Sequence, residues 1–172
     1  MENLKEKIRD IPGFPKEGII FKDITPLLMD PECLKQAVCS IADAFREKGV
    51  TKVCAVEARG FIFGAAVACE LGTGFIPIRK PGKLPAETCC CTYELEYGTD
   101  TIEMHSDAIE KGDRILMVDD LLATGGTMAA ACKLVKDSGG EIAGIAFLVE
   151  LAFLKGIDKL KDYRTVSLIT YE

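Results

Sequence analysis

At 172 residues the chain is long enough for one domain with a full hydrophobic core. Apolar residues make up 48% of it and charged residues 28%, a globular balance, and no apolar run reaches the length of a membrane-spanning helix. The net charge of −6 argues against nucleic acid or an anionic membrane as partner, so any anion site must be local.

Met1 to Asp10 is charged and amphipathic, without the apolar segment of a secretory signal. Cys33, Cys39, Cys54, Cys69 and Cys132 fall inside helix or strand patterns as small hydrophobes. Cys89, Cys90 and Cys91 are consecutive, a poor spacing for disulfides or zinc. His105 is the single histidine, which disfavours a histidine-based metal site or triad. A reducing, cytoplasmic setting is expected.

In chain order, Glu2 to Arg9 reads as a short helix and Ile11 to Gly18 as irregular, with Ile19 to Phe21 a short strand. Pro31 to Lys48 is an amphipathic helix with Leu34, Val38, Ile41, Ala42 and Phe45 on one stripe. Lys52 to Glu57 is a buried strand, Phe61 to Leu71 a helix of small residues, and Phe75 to Ile78 another strand. Thr88 to Tyr97 and Thr101 to Met104 alternate like a hairpin turned at Gly98-Thr99-Asp100. Strand Arg114 to Val118, helix Thr127 to Ser138 and strand Ile142 to Val149 follow, then a short helix over Leu151 to Lys159 and a strand over Thr165 to Ile169. Alternating strands and helices predict an α/β fold, a parallel twisted sheet flanked by helices.

The run from Ile115 to Thr127, Ile-Leu-Met-Val-Asp-Asp-Leu-Leu-Ala-Thr-Gly-Gly-Thr, carries the most chemistry. A buried strand ends in two carboxylates, Asp119 and Asp120, before a turn of small and hydroxyl residues and a helix N-terminus. Gly125 and Gly126 let backbone close around a phosphate, while Thr124, Thr127 and the free N–H groups of the first helical turn donate to it. The carboxylates would repel that phosphate and are better suited to accept hydrogen bonds from vicinal hydroxyls. Acid pair plus phosphate cradle points to a ribose 5-phosphate. A Walker A loop is excluded, since no lysine lies between Asp120 and Lys133, and G-x-G-x-x-G is absent.

This run resembles the 5-phosphoribosyl-1-diphosphate (PRPP) motif of the type I phosphoribosyltransferases. The resemblance implies the fold of that family, with a small N-terminal hood (about residues 1–30) and a lid hairpin (about 84–106) on a single domain spanning 1–172. Glu57 to Gly60 stands where the family carries a pyrophosphate loop, often with a cis peptide, and Arg59 suits pyrophosphate by bidentate hydrogen bonding. Arg79, Lys80 and Lys83 form a basic loop, either solvated or set to neutralise the leaving pyrophosphate. The hairpin beyond is either a movable cover or a static extension of the sheet.

Five stretches, Phe14 to Pro26, Glu57 to Phe61, Arg79 to Pro85, Tyr93 to Gly98 and Asp119 to Thr127, resemble the adenine-specific branch of that family, as does the ending Ser167 to Glu172. That implies adenine and PRPP as substrates, AMP and pyrophosphate as products, Mg²⁺ as cofactor and a homodimer. It implies that Ile20, Phe21 and Lys22 of the hood and Tyr97 border the adenine, and that Glu96 lies near purine N7. Asp119 and Asp120 would hold the ribose, directly or through a metal-bound water, and Ala123 to Thr127 the phosphate. Lys22 departs from the arginine of many members, and Pro81 is unusual in the basic loop. Enzymes for 6-oxopurines usually have Glu-Asp as the acid pair and an aspartate where Ala123 stands, so they fit less well. A PRPP-sensing regulator without catalysis and a 6-oxopurine transferase stay as rival readings.

Overall fold

A computed structural model of the chain describes residues 2–94 and 98–172. It opens with α1 (Glu2–Glu6) and an antiparallel pair, β1 (Arg9–Pro12) with β2 (Ile20–Asp23). Next come α2 (Thr25–Met29) and α3 (Pro31–Phe45), then β3 (Lys52–Val56), α4 (Gly60–Leu71) and β4 (Gly74–Ile78). An antiparallel hairpin of β5 (Thr88–Glu94) and β6 (Thr99–His105) follows. The chain continues with β7 (Arg114–Leu122), α5 (Gly126–Asp137) and β8 (Glu141–Leu151). It closes with two 3-10 turns and β9 (Thr165–Tyr171).

Five strands form the central parallel sheet, ordered β4-β3-β7-β8-β9. Strict alternation along each strand explains why both faces are covered. Val53, Ala55, Leu116 and Val118 pack with Ile41 and Phe45 of α3 and Phe63 and Val67 of α4. Cys54, Val56, Ile115 and Met117 point the other way, onto Met128, Ala131 and Val135 of α5 and Ile102 and Met104 of β6. Pro31 opens α3 where its missing N–H costs nothing, and Asp30 caps it by accepting from the Glu32 and Cys33 N–H groups at 3.1 Å each.

The strand order reverses between β3 and β7. From β3 the chain crosses outward to β4, while from β7 it crosses the opposite way to β8 and β9. At such a switch point the loops leaving the carboxyl ends part and a crevice opens. The loops after β3 and β7 are the two predicted anion loops.

Several boundaries differ from expectation, each for a tertiary reason. The first helix stops at Glu6 because Arg9 to Pro12 is drawn into pairing with Ile20 to Asp23, so part of the predicted irregular segment is strand. The short α2 escapes prediction because five residues are too few to show a helical period. α3 ends at Phe45, three residues early. Thr99 and Asp100 belong to β6, opposite Glu94 and Tyr93, and not to the turn. Strand β7 continues to Leu122, which places both acids within it, still paired to β8 through Asp119 and Phe147. The segment after β8 forms two 3-10 turns, Ala152–Leu154 and Gly156–Lys159, instead of one helix. Cys69 is exposed on α4 and is not the buried small hydrophobe its helix suggests, whereas Cys33, Cys54 and Cys132 are buried.

Candidate active site

A cavity of about 440 Å³ lies at the switch point. Its walls are the loop after β3 (56–59), the acid pair with the loop after β7 (119–128), and Lys80, Tyr93 and Asp100 from the basic loop and hairpin. The Glu57–Ala58 peptide, in the first wall, is cis. The acid pair, the predicted phosphate loop and Arg59 thus share one cavity.

Asp120 is only 5% exposed and is the one buried charged residue among the described residues. Arg59 Nε stands 2.8 Å from Asp120 Oδ2, an ion pair. Its N–H is not aimed along a hydrogen bond, because the same oxygen has no directed partner. Asp120 stands in the cavity wall with this inner oxygen lacking a directed donor. Asp119 Oδ1 accepts the Asp120 N–H at 2.9 Å. Gly60 makes this approach possible: a Cβ there would stand 2.6 Å from Asp119 Oδ1.

Burial, and then repulsion from Asp120, pushes the Asp119 carboxyl well above the ordinary range. Burial also raises Asp120, opposed by the Arg59 guanidinium. By contrast hydrogen bonds hold Asp23 (from Thr25 and Arg9), Asp30 (from Lys7) and Asp113 (from Lys52) down at about 2. The two groups act oppositely on stability. The lowered carboxyls contribute stability above the ordinary carboxylate range, lost as pH falls toward their own values. The acid pair contributes below that range, and its contribution is lost as pH rises through the raised values. The ligand-free melting temperature should therefore climb from about pH 2 to about pH 4 and then sag toward neutrality. Calorimetry of Asp120→Asn should show the sag reduced but not abolished, since burial still raises Asp119; parallel curves for wild type and variant would contradict the assignment.

The predicted phosphate loop is held by backbone packing. Gly125, at φ +74, begins α5 in the left-handed region with no side-chain cap, so the first-turn N–H groups stay available to an anion. Behind it stands Gly156, from the second 3-10 turn: a Cβ placed on it would collide with the Ala123 carbonyl and stand 2.9 Å from the Gly125 nitrogen. Neither residue of this interlocked pair tolerates a side chain. Gly156 was not foreseen, because it sits in a segment that reads as helix.

The remaining predicted residues divide. Lys80 lines the cavity and ion-pairs with Asp100. Arg79 turns away: its Nε donates to Glu57 Oε2 at 2.8 Å and its Nη1 to the Lys83 carbonyl at 3.2 Å. Neither Arg79 nor Lys83 lines the cavity. Ile20 and Lys22 line a second, more apolar cavity of about 770 Å³ with Leu151, Phe153, Leu154 and Tyr171. Thr124 belongs to both cavities, so they adjoin at the phosphate loop. The Lys22 ammonium is held by Asp10 at 2.7 Å and lies 3.9 Å from the Tyr171 ring centroid. Phe21 packs edge-on against Phe14, with the Arg59 guanidinium 5.1 Å from its ring centroid. Glu96 and Tyr97 lie outside the described residues. Tyr93 and Asp100 were not foreseen as lining residues; their strand alternation toward α5 was the available signal.

Residues 35–170 match the family model for the phosphoribosyl transferase domain. The chain belongs to the phosphoribosyltransferase family, and within it to the adenine phosphoribosyltransferases. It is 57% identical over 170 residues to an adenine phosphoribosyltransferase of Clostridium perfringens, covering 99% of both chains. The crystal structure of adenine phosphoribosyltransferase from Thermoanaerobacter pseudethanolicus superposes with a TM-score of 0.96 at 53% identity, over 99% of each chain. The Saccharomyces cerevisiae enzyme, complexed with an imino-altritol bisphosphate and adenine, gives 0.91 at 39% identity over 97% of each.

Proposed function

We propose that this chain joins adenine to PRPP, forming AMP and releasing pyrophosphate, in purine salvage. The carrying observation is one cavity holding the buried acid pair and the glycine-threonine loop, with an apolar cavity adjoining it at Thr124. The 5-phosphate rests on Ala123, Thr124, Gly125, Gly126 and Thr127. The ribose hydroxyls lie against Asp119 and Asp120. The purine enters the second cavity, between the backbone of Ile20 to Lys22 and Leu154.

In the reaction the bond from ribose C1 to adenine N9 forms as the bond from C1 to the diphosphate oxygen breaks. Positive charge grows on the ribose ring, and the two carboxylates below it favour that charge. Arg59 and Lys80 face the leaving diphosphate; Arg79 and Lys83 join them only if the basic loop rearranges. Glu96 takes the purine proton on the N7 side, with Tyr97 beside it. Burial of the phosphate end orients C1 toward N9.

The described residues hold no group of three His, Cys, Asp or Glu able to cage a metal. Two acids suit Mg²⁺, which keeps waters and takes phosphate oxygens as further ligands. Carried by the diphosphate, it would meet Asp119 and Asp120 through water and neutralise charge on the diphosphate.

We propose further that the β1–β2 pair serves as a hood, the β5–β6 hairpin as a lid, and that the chain works as a cytoplasmic homodimer. The free cysteines suit a reducing compartment, and Met29 at 78% exposed is an apolar side chain available to a second copy.

Competition of adenine, hypoxanthine and guanine for PRPP tests the reading. Adenine alone should be turned over efficiently, while preference for a 6-oxopurine would replace the substrate assigned. Glu96→Gln should lower kcat by about 100- to 10,000-fold, more than it raises KM. An unchanged kcat would remove Glu96 from the chemistry.

A further inference from the structure

Four side chains from three segments form a continuous chain across the mouth of the cavity. Lys80, in the basic loop, ion-pairs with Asp100 Oδ2 on β6. The Tyr93 hydroxyl, on β5 directly opposite, donates to the same oxygen at 3.1 Å. Tyr93 Oη stands 3.0 Å from Thr127 Oγ1 on the first turn of α5. The direction of this chain follows from counting protons. A phenol has one hydrogen, and a carboxylate can only accept, so the Tyr93 proton goes to Asp100. Thr127 must then donate its own hydroxyl proton to Tyr93. One carboxylate therefore occupies two donors that a phosphorylated ligand would use: the Lys80 ammonium directly, and the Thr127 hydroxyl through Tyr93.

Asp100 sits in the cavity wall, where a bound diphosphate would otherwise meet a like charge. Hydrogen bonding from Lys80, ahead of the other donors, holds its carboxyl below the ordinary range, so it is ionised at neutral pH.

We propose that Asp100 is a built-in competitor for the ligand's phosphates: in the empty enzyme it takes Lys80 and, through Tyr93, the Thr127 proton, clipping the β5–β6 hairpin to the phosphate loop. Incoming diphosphate reclaims Lys80 and the 5-phosphate reclaims Thr127. After reaction Asp100 recaptures Lys80 as pyrophosphate departs. The inference rests on the function proposed above for this cavity.

Isothermal titration of PRPP, pyrophosphate and AMP in Mg²⁺ buffer tests it, with wild type, Asp100→Asn, Lys80→Met and the double variant. Asp100→Asn should bind pyrophosphate and PRPP about two- to five-fold more tightly, the size of a partly exposed ion pair released. In the Lys80→Met background that gain should shrink to less than about two-fold, because the two effects share one contact. Tyr93→Phe frees the Thr127 proton alone, so AMP should bind more tightly while pyrophosphate is unchanged. Melting curves check folding, and Asp100→Ser replaces Asp100→Asn should the latter not fold. Weaker or equal pyrophosphate binding by Asp100→Asn would overturn the proposal, as would a gain that persists in full without Lys80. A wild type that binds none of the three ligands would overturn the proposed function, and this inference with it.

Discussion

Asp119→Asn and Asp120→Asn should each lower kcat by about 100- to 1,000-fold, the usual cost of removing one positioned electrostatic stabiliser. The ligand-free proteins should melt at the wild-type temperature or above it. Both outcomes have one cause. In the cavity two carboxylates sit side by side, one of them 5% exposed, compensated by the Arg59 ion pair and by the backbone N–H of Asp120. Burial raises both their pKa values, and repulsion from Asp120 adds to that of Asp119. An asparagine keeps the shape and can still meet a ribose hydroxyl, but it carries no charge. It relieves the empty site and fails the ring as positive charge develops. A relief of about 1 kcal/mol would raise the melting temperature of a chain this size by about 2–4 °C. Steady-state kinetics and calorimetry on the same preparations read both. Near-normal kcat in the two variants would refute the ribose role. A melting temperature several degrees lower would instead make the acids structural.

The second large effect is expected at Gly156, which touches no ligand. Its Cα backs onto the Ala123 carbonyl and the Gly125 nitrogen, the inner side of the phosphate loop. The obstacle to a side chain there is backbone, which no rotamer change relieves. Gly156→Ala should therefore push the loop toward the cavity, costing about 1–3 kcal/mol of stability as an overpacked site. A displacement near 1 Å at the phosphate should lower kcat/KM by about 100-fold, mostly through KM for PRPP. Gly74→Ala is the control. Its added carbon would meet Lys52 Cγ at 3.6 Å, an ordinary contact, and it lies at the far end of the sheet from the cavity. Kinetics that match wild type in Gly156→Ala would show that the interlock does not position the loop.

The two expected outcomes also mark where the sequence was legible. The phosphate loop could be read because its requirements are local: a buried strand, glycines for close approach, hydroxyls at fixed offsets and a helix start all fall within thirteen contiguous residues, Ile115 to Thr127. The parallel sheet was legible because strands such as Val53 to Val56 and Ile115 to Val118 are apolar on both faces. Gly156 was not, since its meaning comes from Ala123 and Gly125, distant in sequence and packed against it, and its neighbours carry a helical pattern. Asp100 was assigned to a turn because glycine and threonine precede it, yet cross-strand pairing with Tyr93 places it in β6. Arg79 illustrates the converse failure. Its charge suits a diphosphate, but Glu57, a residue of the neighbouring loop, already accepts from it. Composition counts cations; only the fold says which of them are taken.

The most direct test is a crystal structure of the chain with AMP bound. The nucleotide phosphate should lie within hydrogen-bond reach of the backbone N–H groups and hydroxyls of residues 124–127. The ribose 2- and 3-hydroxyls should face Asp119 and Asp120, and the adenine should enter the cavity bordered by Ile20 and Leu154. A nucleotide whose phosphate sits elsewhere, or whose diol points away from both acids, would contradict the assignment of this pocket.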